Sequence, residues 1–80
     1  MTKAKSRAEF VEKVLREFSP ESIEITMLDE EPLPLVPTFE FRFTNSDTKR
    51  RDFVELCNVL WWLGADIKHK TSDGVVVAEV

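Results

Sequence analysis

Two periods of apolar spacing run along the chain. Phe10, Val11, Val14, Leu15 and Phe18 form one stripe at helical period, with Glu9, Glu12, Lys13, Arg16 and Glu17 on the other side. Ser6-Arg7-Ala8-Glu9 matches a capping box, in which the serine hydroxyl and the glutamate carboxylate each satisfy a free backbone N–H. The pattern predicts a helix that starts at Ser6 and ends at Ser19-Pro20, because a residue before proline is pushed out of the α region. From Ser22 to Leu28 the period drops to two: Ile23, Ile25 and Met27 alternate with Glu24 and Thr26, the mark of a half-buried strand. After the loop Asp29–Pro37, Thr38–Thr44 alternates again. Its three phenylalanines, Phe39, Phe41 and Phe43, share one face and are expected to centre the core.

Thr44-Asn45-Ser46-Asp47 is a helix-starting cluster, with the cap expected at Ser46 or Asp47. A second helix from about Asp47 to Leu63 follows, with Phe53, Leu56, Cys57, Leu60 and Trp61 or Gly64 at the core-facing spacing, Trp61 and Leu63 flanking Leu60, and Gly64 as the C-cap. Two short strands, Asp66–Lys70 and Val75–Val80, flank Thr71-Ser72-Asp73-Gly74, a hairpin turn with glycine where positive φ is needed.

The order α-β-β-α-β-β predicts an α+β two-layer sandwich, with two helices on one face of a four-stranded sheet. Moving the last strand to the front gives β-α-β-β-α-β, so one candidate is a circularly permuted ferredoxin-like arrangement with sheet order 3-4-2-1. The other is a simple 1-2-3-4 order with the second helix as a right-handed crossover.

Composition narrows the class of protein. Eighty residues are one small domain, 1–80, with residues 1–5 expected as an N-terminal arm. Eleven Lys and Arg against fifteen Asp and Glu give a net charge of -4, which argues against a strongly basic nucleic-acid protein or a polybasic membrane binder. No apolar run approaches the roughly 18 residues of a membrane span, and no secretory h-region is visible. A single cysteine makes no internal disulfide. Together these features predict a cytoplasmic protein without a membrane role.

Candidates for catalysis are few. His69 sits between Lys68 and Lys70, and strict alternation places it on the face of Ile67, opposite both lysines. No spacing supplies it with an orienting carboxylate and a nucleophile. Cys57 lies on the apolar stripe of the second helix and reads as a small buried hydrophobe rather than a reactive thiol. No phosphate-loop, dinucleotide, HExxH or CxxC pattern occurs, and Asp29-Glu30-Glu31 lacks EF-hand spacing. The expectation is a non-enzyme with no catalytic residues, no cofactor and no metal.

Two features point to binding. Basic residues gather at both helix starts: Lys3, Lys5 and Arg7 on the first, Lys49, Arg50 and Arg51 on the second. If those starts lay side by side, Arg7, Lys49, Arg50 and Arg51 would form an anion or nucleic-acid site, which is the alternative reading. The stronger feature is Val59-Leu60-Trp61-Trp62-Leu63, since five consecutive large apolar residues cannot all face one sheet when they sit 100° apart on a helix. With Leu60 inward, Trp62 points away, toward the side of Val54 or Glu55, unless the Pro32–Pro37 loop folds over it. Val75 and Val77 add an apolar strip on the open sheet face once Val76, Ala78 and Val80 face the helices. Trp61, Trp62, Val54, Val75 and Val77 are therefore the expected contacts of a small interaction module. Its partner is another protein or a second copy, with nucleic acid second.

Overall fold

A computed structural model describes residues 3–80 and, for side chains, residues 4–80. The elements are α1 (Lys3–Phe18), β1 (Ile23–Met27), β2 (Thr38–Phe43), α2 (Lys49–Leu63), β3 (Asp66–Lys70) and β4 (Val75–Glu79). All three strand pairings are antiparallel, and the sheet order is β1-β2-β4-β3. Read from β3 outward this is the 3-4-2-1 order of the permuted arrangement. The fold is an α+β two-layer sandwich with β2 and β4 at its centre.

The core forms where the strand and helix periods meet. Phe39 and Phe41, with ring centroids 6.4 Å apart, are sealed between Val11 and Leu15 of α1, Leu56 and Leu60 of α2, and Val76 and Ala78 of β4. Phe43 lies at the margin, 6.1 Å from Phe53 of α2. The final strand thus alternates as expected, with Val76, Ala78 and Val80 buried while Val75 and Val77 lie half-buried on the open face.

Several local expectations are corrected. The first helix begins at Lys3, not Ser6, so Ser6 is a helical residue and no capping box operates there. Residues 3–5 of the expected arm are helical, and Met1 and Thr2 fall outside the described residues. The second helix starts at Lys49 after Thr48, because Asn45 first accepts the Asp47 N–H in a side-chain turn and delays entry. Its other end follows the sequence. Gly64 adopts φ +74°, with its N–H on the Trp61 carbonyl and the Ala65 N–H on Leu60, the double closure of a Schellman motif. Gly74, at φ +93°, turns the last hairpin.

A β-bulge in β3 changes which side chains face the helices. Ile67 pairs with Ala78 but His69 pairs with Val77, leaving Lys68 as the extra residue. His69 therefore lies on the open face beside Val77, contrary to strict alternation. Lys70 swings to the helix side, where its Nζ stands 5.2 Å from the centre of the Phe53 ring. Lys68 bonds Asp66 at 2.8 Å and Glu79 at 3.4 Å. At the opposite edge, Arg16 of α1 donates to the Ile25 carbonyl of β1 at 3.4 Å.

Candidate functional site

The helices run antiparallel. Arg7, near the start of α1, approaches the carbonyls of Leu63 and Val80 at 3.5 Å, while Ser22, just past the end of α1, bonds Asp52 in the first turn of α2. The two basic helix starts thus lie at opposite ends of the helix layer, and Arg7 does not join Lys49, Arg50 and Arg51. Lys49 donates to the Ser72 carbonyl at 3.3 Å and Arg51 pairs with Asp52 at 3.4 Å, so two of that cluster serve the fold. Arg50 is exposed.

Asp52 is the one charged side chain among the described residues that is fully buried. Both Ser22 Oγ and Thr48 Oγ1 donate to its carboxylate, the latter at 2.6 Å. Those hydroxyl bonds, with help from Arg51, hold its pKa below the usual carboxylate value against the opposing effect of burial. Its place in the first helical turn also suits a negative charge. By residue type alone Asp52 reads as an outward polar position. The missed signal is its spacing: Asp52, Leu56 and Leu60 fall at i, i+4 and i+8, on the core stripe itself. A shallow polar depression of about 360 Å³ beside it is lined in part by Asn45, Thr48, Arg51 and Glu55. Asp52 is a structural lock between β1 and α2.

The outer face of the helix layer is different in kind. Trp61 is 82% exposed, Trp62 67%, Phe18 66% and Phe10 50%, with Val54 also exposed. The single stripe expected on α1 divides: Ala8, Val11 and Leu15 are buried, Val14 and Phe18 at i and i+4 turn toward α2, and Phe10 is left half-exposed. Val14 and Phe18, together with Asn58, Val59 and Trp62, line an apolar groove of about 380 Å³ between the helices. The Pro32–Pro37 loop does not cover it: none of its residues lines the groove, and Leu35 and Val36 are themselves exposed. Trp61, expected to flank the core beside Leu60, is instead exposed: it diverges by 100° from both Leu60 and Trp62, so Trp62 borders the groove while Trp61 stands clear of it.

The remaining candidates lie apart from this face. Val75 and Val77 sit on the open side of the sheet, opposite Arg42 and Glu40 of β2. They form a second, smaller apolar strip framed by charges. Cys57 is half-buried rather than sealed, and desolvation raises its thiol pKa, with Lys70 acting weakly the other way. His69 and Cys57 occupy opposite layers. Among the described residues no group of three or more His, Cys, Asp or Glu is placed to hold a metal ion, and no helix is long and apolar enough to cross a membrane.

Comparison with protein-family models, with curated proteins and with solved structures finds no match to this chain.

Proposed function

We propose that the protein is a small non-enzymatic interaction module of a reducing, cytoplasmic compartment, acting as an accessory or regulatory protein by docking through its helix face. One observation carries this reading: Phe18 and Trp62, each about two-thirds exposed, border an open apolar groove between the helices, and Phe10 and Trp61 add further exposed aromatic surface to the same layer. Exposed aromatic surface is costly in water, and tryptophan is the residue most enriched where protein contacts concentrate their energy. Arg50 and its neighbours support an anion-binding alternative less well, because Lys49 and Arg51 are already engaged within the fold.

The test is capture of polypeptides, the chain itself included, by immobilised wild-type protein and by the double variant Trp61→Ala/Trp62→Ala. The expected result is an unchanged circular dichroism spectrum and lost capture. Equal capture by both proteins overturns the reading.

A further inference from the structure

We propose that β3 is an ion-latched flap: it opens from β4 as a unit while the rest of the domain stays folded, and Lys68 is the latch that holds it shut. The proposal stands apart from docking at the helix face.

The two borders of the sheet are held unequally. β1 buries Ile23 and packs Ile25 and Met27 against the core. Its ends are tied as well. The Leu28 N–H donates to the Thr38 carbonyl at 2.9 Å, and the Thr44 N–H and hydroxyl both donate to the Ser22 carbonyl. β3 pairs with β4 alone, and of its five side chains only Ile67 packs against the core. The bulge at Lys68 also interrupts its ladder. Segments with few buried apolar contacts open locally, at a lower free energy than the core. β3 fits that description and β1 does not.

Charge sets how often the flap opens. Asp66 and Glu79 are direct partners across the β3–β4 ladder, and two carboxylates facing each other push the strands apart. The bulge delivers the Lys68 ammonium to both, 2.8 Å from Asp66 and 3.4 Å from Glu79, and so replaces that repulsion with two ion pairs. Closure keeps covered the border of β4, whose residues 75–78 are all apolar.

The test is native-state hydrogen exchange followed by NMR, on wild type and Lys68→Ala, at low and at high salt. Lys68 is exposed, so the variant keeps the fold. In wild type the ladder amides of residues 66–70 are expected to exchange together. They should exchange roughly 10-fold faster than those of β1 and roughly 100-fold faster than those of Phe39 and Phe41. An exposed ion pair shifts an equilibrium by only about 1.5- to 5-fold, so Lys68→Ala should speed β3 exchange by roughly 3- to 10-fold and leave β1 unchanged. Salt should act with opposite sign on the two proteins. It screens the attraction in wild type, which speeds β3 exchange, and the remaining repulsion in the variant, which slows it. Protection of β3 equal to or above that of β1 overturns the proposal. So does a Lys68→Ala effect spread evenly over the sheet, or a salt response of the same sign in both proteins.

Discussion

The Ser22 hydroxyl donates to the carboxylate of Asp52, tying the entry of β1 to the first turn of α2 across thirty positions of sequence. Thr48 donates to the same oxygen and Arg51 closes over it from solvent, so a buried charge is fully partnered.

This arrangement makes a pH-dependent prediction. The folded pKa of Asp52 lies below its ordinary 3.8, so its stabilisation is complete above that value and fades as pH falls through the lower folded pKa. Asp52→Asn should lower the urea midpoint at neutral pH. The gap to wild type should narrow on strong acidification, as the wild-type carboxyl takes up its proton. Parallel midpoints over the whole range would remove the assigned role.

The contrast between the two layers of aromatic residues is also measurable. Phe41→Ala and Leu56→Ala, at fully buried positions, should cost about 3–5 and 2–5 kcal/mol in chemical denaturation. Trp62→Ala, measured in dilute protein, should shift stability by no more than about 0.5 kcal/mol. A large loss at Trp62 under those conditions would mean the indole is part of the core.

Gly64 should be hard to replace. A side chain at φ +74° costs roughly 1–2 kcal/mol, although nothing stands within 4 Å of the added carbon. Gly64→Ala is therefore expected to lower the melting temperature through backbone strain alone, and Gly64→Asn to lower it less. Equal effects of the two would point to packing instead.

Cys57 should react slowly. Burial raises its thiol pKa, which lowers the thiolate fraction near neutral pH. Modification by an aromatic disulfide reagent should be slower than for free cysteine and should speed up in denaturant. A rate equal to or above that of free cysteine contradicts the environment described.

The elements were legible because their periods were clean: three phenylalanines at spacing two, and Phe53-Leu56-Leu60 at helical spacing. The start of α1 was less so, since the capping signature at Ser6 competes with a Lys-Ala-Lys stretch that extends the helix backward. His69 was assigned to the wrong face because one unpaired residue, Lys68, inverts every later side chain in β3, and a bulge leaves no compositional mark. Trp62 was legible as an outlier, but its surroundings were not. Whether the proline-rich loop covers it depends on where that loop emerges, which local pattern does not carry. Phe10 and Phe18 escaped notice because a stripe of five residues spans more than one helix face.

The notched, lysine-bearing strand on one side and the arginine-covered carbonyl on the other have a bearing on solubility. Small sheets coalesce most readily by adding strands at a free border, one molecule after another, into fibres. Here both borders are five residues long and obstructed. The chain can therefore carry an exposed aromatic helix surface without also offering a free strand border for open-ended growth.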